Sequence, residues 1–199
     1  MRTTLRRLVE VVVLACAALI GMEAVPMPSV DPQNDGPQFD AKNQLLRPVN
    51  YREWIFLSSG LGMNYSPSKG MPEQFTNVFV APGAYRAFLA NGQWPDKTMF
   101  VLEERAASSR GSIIKSGHFQ AALEGLAASV KDEKRFPERW AYFAFGTDTK
   151  ASKAMPKIAC WQCHNDHGAV NNTFVQFYPT LKSVSEKFGS YNAAKAGTH

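Results

Sequence analysis

Close to the C-terminal end of the 199-residue chain stands Cys160-Trp161-Gln162-Cys163-His164. Two thiols two residues apart, followed at once by an imidazole, have the spacing of c-type haem attachment. Each sulfur adds to a porphyrin vinyl group and the histidine faces the iron. Cys160 and Cys163 would thus capture the cofactor, and His164 would ligate the metal. Two other uses of C-x-x-C need features that this chain does not offer. A structural zinc site wants a second ligand pair, and the third cysteine, Cys16, lies in an N-terminal apolar run. A redox dithiol of the thioredoxin type opens a helix directly after a buried strand. Cys160 instead follows the polar, proline-containing Lys153-Ala154-Met155-Pro156-Lys157.

Covalent attachment of this kind belongs with export, and the N-terminus supplies a matching signal. Arg2, Arg6 and Arg7 precede an apolar run from Leu8 to Gly21 that is broken only by Glu10. Residues 1–24 read as a signal peptide, too short and too polar at Glu10 for a membrane span, which predicts a periplasmic protein without stable membrane insertion after processing. An uncleaved anchor and a lipoprotein-type Cys16 are the competing fates of this segment. Residues 25–38 hold Pro26, Pro28, Pro32 and Pro37 among Asp, Asn and Gly, a composition that reads as a flexible leader. Residues 39–199 are then one domain with room for a core. The net charge is +5, and losing residues 1–24 removes three arginines and two glutamates to leave +4. The basic residues do not cluster, so no nucleic-acid partner is expected, while a weak preference for an acidic redox partner protein is compatible with the balance.

The elements that must position the motif are legible in outline. Asn50–Leu57 reads as a short helix or turn running into an apolar segment that stops at Ser58-Ser59-Gly60, followed by a Gly, Pro and Ser-rich loop to Pro72. Phe75–Val80 reads as a strand, and Pro82–Asn91 as a helix closed by Gly92. Thr98–Glu104 is the next strand, with Thr98, Phe100 and Leu102 on one side and Met99, Val101 and Glu103 on the other. Along His118–Asp132, the small set Phe119, Ala121, Leu123, Gly125 and Ala127 predicts a face with something bulky against it. Trp140–Gly146 is strand-like. Periodicity alone gives an α+β domain.

The run Cys160–Leu181, together with Asn50-Tyr51-Arg52-Glu53-Trp54, the Thr98–Glu103 strand and Ser129–Phe136, resembles the cytochrome P-460 family, which includes the cytochromes c prime beta. The resemblance spans nearly the whole predicted domain with its four stretches in the same order. It implies a mainly antiparallel β-sheet with flanking helices, one covalently attached haem c near the C-terminus, and a homodimer.

Hydroxylamine-oxidising members of that family resemble one another in a lysine cross-linked to the haem and in a pocket carboxylate. The aligned positions here are Leu102 and Ala127. Leucine has no nucleophilic nitrogen and alanine cannot accept a proton, so no catalytic residue is assigned. The pattern is closer to the cytochromes c prime beta, which implies an apolar distal face and a small diatomic gas such as nitric oxide as ligand. Phe100 shares the side of Leu102, and Phe75 stands on the neighbouring strand; ordinary core packing is the alternative for both. The expected wall of Phe100, Leu102 and Ala121–Ala127 offers no hydrogen-bond donor, which favours nitric oxide over dioxygen. An oxidoreductase acting on hydroxylamine or a peroxide would need an acid–base group, for which Glu103 and Glu124 are nearest, both expected to face outward. His167 and His118 read as surface histidines.

Overall fold

The computed structural model describes residues 35–63 and 72–197. The signal segment 1–24 and residues 25–34 of the leader lie outside the described residues. The short strand β1 (Leu45–Leu46) pairs with β7 (Ala151–Ser152). Between them in the chain, β2 (Ile55–Leu61), β3 (Gln74–Val80), β4 (Met99–Ser108), β5 (Phe119–Lys131) and β6 (Trp140–Ala144) form one antiparallel sheet in sequence order. The helices are α1 (Pro82–Asn91), α2 (Trp161–His167), α3 (Pro179–Lys187) and α4 (Ala193–Ala196), with single 3-10 turns at Tyr51–Glu53 and Val175–Phe177. The architecture is the α+β antiparallel sheet with flanking helices that the sequence predicts. Among the described residues, no helix is long and apolar enough to cross a membrane.

Local chemistry sets the element ends. Pro82 opens α1, where a missing N–H leaves nothing unsatisfied, and Gly92 closes it at φ 70° with its N–H donating to the Phe88 carbonyl at 2.7 Å. A Cβ at Gly92 would lie 2.8 Å from the Phe188 Cβ, so the end of α1 rests directly against the turn after α3. Contrary to expectation, β2 does not stop at Ser58-Ser59-Gly60. It continues with Gly60 opposite Thr76 and Leu61 opposite Phe75, because cross-strand bonding to β3 carries the small residues along an edge strand. β4 likewise runs four residues past Glu104, to Ser108.

Register sorts the sheet into two faces. Val78 pairs with Leu102, Leu102 with Ala127, and Ala127 with Ala144; one step away Val80, Phe100, Ser129 and Tyr142 align. These side chains share one face. The other carries Phe79, Val101, Glu103, Ala128 and Phe143. The expected small-residue face of β5 is only partly right. A register shift after Glu104 brings Leu123 opposite Arg105, so Leu123 leaves the face of Gly125 and Ala127.

Each face is covered by a different part of the chain. The N-terminal segment packs on the second face, where Tyr51 meets Phe79 edge-on at 5.5 Å and Phe39 meets Phe143 at 6.1 Å. On the first face, Phe100 is ringed by Trp94, Trp140 and Tyr178 at 4.8, 6.1 and 6.3 Å, and Trp94 in turn stacks on Phe88 of α1. This aromatic cluster joins the sheet to α1 and to the segment leading into α3, and it leaves the Leu102–Ala127 region of the face uncovered by rings.

Candidate functional site

The haem-attachment motif falls where a loop turns into α2. Cys160 holds the N-cap position, and the His164 N–H donates to the Cys160 carbonyl at 3.1 Å. Spacings of three and four residues put Cys160, Cys163 and His164 on one side of a helical turn. All three line a single cavity of about 500 Å³ between α2, the segment 173–178 and the first face of the sheet.

His164 is held in one orientation. Its Nδ1 lies 2.9 Å from the Asn172 carbonyl, which can only accept, so Nδ1 carries the proton and Nε2 keeps its lone pair. The Tyr142 and Phe174 rings flank the imidazole at 4.4 and 4.5 Å. Burial lowers the pKa of His164, partly opposed by the Asn172 carbonyl, so the ring is a neutral donor.

The carbonyl that orients His164 comes from an unusual turn. Asn171 and Asn172 have φ of 44° and 60°, and the flanking Val170 and Thr173 bond each other through Thr173 N–H to Val170 carbonyl at 2.8 Å and the reverse at 3.3 Å. Two successive left-handed residues make a two-residue hairpin, and asparagine tolerates that conformation better than most residues. Gly168 lets this turn press against α2. A Cβ there would lie 2.5 Å from the His164 carbonyl oxygen, 2.7 Å from Thr173 N and 2.8 Å from Asn172 C, all backbone atoms. The turn is fastened on its far side, where Trp94 Nε1 donates to Thr173 Oγ1 at 2.9 Å.

The thiols differ. Cys163 is exposed, whereas Cys160 is half-buried with its sulfur 3.8 Å from the Met155 sulfur. Burial first, and Cys163 second, push the Cys160 thiol pKa up, so it is held protonated. The sheet wall of the cavity includes Phe100, Leu102 and Ala127, together with Ser58, Thr76 and Val78 from β2 and β3. Phe75 is not on this wall. Alternation turns it to the face opposite Thr76 and Val78, across from Arg105. Phe100 is both a lining residue and a core residue, 5% exposed within its aromatic ring cluster.

These residues fit a bound haem. The volume lies in the 300–1,000 Å³ range of cofactor sites, the lining is mostly apolar, and two thiols and a preset imidazole converge on it. The buried Tyr142 hydroxyl and the Asn172 side-chain amide beside His164 have no partner except one another, which leaves polar capacity inside an otherwise apolar site. Among the described residues, no three His, Cys, Asp or Glu side chains converge as a separate metal-binding set.

The family described as Cytochrome P460 matches residues 48–175, a stretch that contains Cys160, Cys163 and His164. The chain belongs to the cytochrome P460 family. Membership makes it a haem-binding cytochrome. No curated protein matches the chain.

Within a cytochrome P460 fold, the remaining sequence candidates fall in different places. Glu103 faces away from the cavity as expected, but it is buried, not outward, at 3% exposure. It accepts hydrogen bonds from the Tyr51 hydroxyl, from Arg52 Nη2 at 2.6 Å, Arg105 Nε at 2.6 Å and Asn77 Nδ2 at 3.2 Å. Burial alone would raise its pKa, but these donors more than offset that and hold it at about 2. Glu124 is exposed and bonded to Gln74. His118 lies 3.6 Å from Glu73, and His167 is exposed at the end of α2.

Sequence reasoning missed Ser58, Thr76 and Val78, because Ser58 was placed in a stop signal and β3 was judged by its phenylalanines. It also missed Glu104, which strict alternation puts on the side of Leu102. Its carboxylate lies over Gly125, in the second cross-strand pair beyond Leu102 and Ala127, and only a residue without a Cβ leaves it that room.

Proposed function

We propose that the chain is an exported c-type cytochrome, its haem joined through Cys160 and Cys163 and ligated by His164, that binds a small gas such as nitric oxide or carries electrons to a redox partner. The carrying observation is that Leu102 and Ala127, the two positions aligned with the cross-linking lysine and the pocket carboxylate, are direct cross-strand partners on the wall of the His164 cavity. Neither side chain can bond the macrocycle or move a proton. When bound, haem supplies an iron with an exchangeable ligand position and a one-electron couple. The chain's own residues do the rest. Asn172 fixes the tautomer and plane of His164, Tyr142 and Phe174 hold the ring between them, and Val78, Leu102 and Ala127 exclude water from the facing wall.

A second reading, oxidation of hydroxylamine or a peroxide, draws on Glu104, a carboxylate with no bonding partner among the described residues, two cross-strand pairs from Leu102. Mass spectrometry of the exported protein after acid-acetone extraction should retain one haem, and the ferrous form should bind nitric oxide with no hydroxylamine turnover. A haem-free mass would defeat the proposal. Turnover that disappears in Glu104→Gln would establish the second reading instead.

A further inference from the structure

The wall opposite His164 is not the donor-free surface expected from Phe100, Leu102 and Ala121–Ala127. Ser58 on β2 stands directly across from Val78, and Thr76 lies two residues along β3 from Val78 on the same face. Both line the cavity, both are half-buried, and neither hydroxyl has a hydrogen-bond partner among the described residues. Gly60, directly opposite Thr76, makes room for the Met63 thioether, which fills the place a Cβ at 60 would take and lies beside the Thr76 hydroxyl on the cavity wall. Each hydroxyl therefore keeps its donor and acceptor capacity for whatever occupies the cavity.

We propose that Ser58 and Thr76 select the ligand, donating hydrogen bonds to a small molecule held against the Val78, Leu102 and Ala127 patch. This rests on the reading of the cavity as a haem gas site. A donor in a water-poor cavity favours a ligand whose outer atom is polarised and accepts, and it penalises an equally small ligand that leaves the donor unmatched. The site is therefore apolar at its centre and selective along one edge, and it takes bent, hydrogen-bond-accepting diatomics in preference to apolar ones of the same size.

The test uses the ferrous holoprotein with carbon monoxide as a vibrational probe, because a donor near its outer oxygen lowers the C–O stretching frequency. Ser58→Ala and Thr76→Val should each raise that frequency and the double variant should raise it most. Ser59→Ala, exposed on the other face of β2, should leave it unchanged. Nitric oxide should leave the double variant roughly two- to twelvefold faster, the equivalent of one net hydrogen bond of about 0.5–1.5 kcal/mol. An unchanged frequency in a folded double variant that still binds carbon monoxide overturns this inference alone. A wild-type holoprotein that forms no carbon monoxide complex overturns the gas-site reading and this inference with it.

Discussion

Leu102 on β4 and Ala127 on β5 lie directly opposite one another on the cavity face of the sheet. The two positions that the family resemblance aligns with a cross-linking lysine and a pocket carboxylate are thus one place in space. A substitution at either position alters the same few ångströms of wall. Leu102→Lys should therefore bring an amine to the macrocycle. In the holoprotein treated with peroxide, the Soret band of Leu102→Lys should move to clearly longer wavelength, and that of Leu102→Met should not. An unshifted lysine variant would mean that position 102 does not face the cofactor.

The buried Glu103 gives the fold a defined acid limit. Its pKa of about 2 lies below the ordinary glutamate value of 4.5, so its contribution is complete above the unfolded pKa and is lost as pH falls from there through the folded value. Glu103→Gln should lower stability at pH 7 by about 2 kcal/mol, the scale for hydrogen bonds to a charged group. Urea melts of both proteins should converge as pH approaches 2. A constant difference down to that pH would assign the effect to packing.

Gly168→Ala tests the joint between α2 and the Asn171-Asn172 turn. The added methyl meets only backbone, which cannot rotate away, so His164 and the Asn172 carbonyl must separate. Stability should fall by about 1–3 kcal/mol, the usual penalty for overpacking. The iron–histidine stretch of the ferrous holoprotein should drop in frequency as the imidazole loses its acceptor. Asn172→Gly, which suits a positive φ, should leave that stretch in place.

Phe100→Ala should act on the core before it acts on the ligand. With Trp94, Trp140 and Tyr178 around it and 5% exposure, Phe100 closes the inner end of the cavity. Truncation should cost about 3–5 kcal/mol in thermal melts. Ligand association should change more when Phe177→Ala is made, because Phe177 lines the cavity and is 45% exposed.

What the sequence disclosed follows from how local each signal is. C-x-x-C-H, the Pro82 and Gly92 boundaries of α1, and the alternation of Phe100 with Leu102 depend on neighbours a few residues away, and all were legible. Phe75 was misplaced, although alternation along β3 carries the signal that it faces away from Val78. Of the partners of Glu103 only Arg105 is near in sequence; Tyr51, Arg52 and Asn77 stand 26 to 52 positions away, so its burial was not marked locally. Leu123 changed faces through a register shift that no spacing rule shows. Ser58 was passed over as part of a stop signal, and Thr76 because a polar residue in a strand reads as solvent-facing until its position in the sheet is fixed.

The hydrogen bond from Trp94 to Thr173 has a mechanical meaning. The Asn172 carbonyl that orients His164 adjoins Thr173, Thr173 is tied to Trp94, and Trp94 lies edge-on against Phe100 on the sheet. Strand, tryptophan, turn and imidazole are therefore links in one chain of contacts that joins the two walls of the cavity. The separation of its two walls is a dimension of the folded chain itself, so a cofactor entering it meets a gauge already set, and a push on the histidine arrives at the sheet as strain on Phe100.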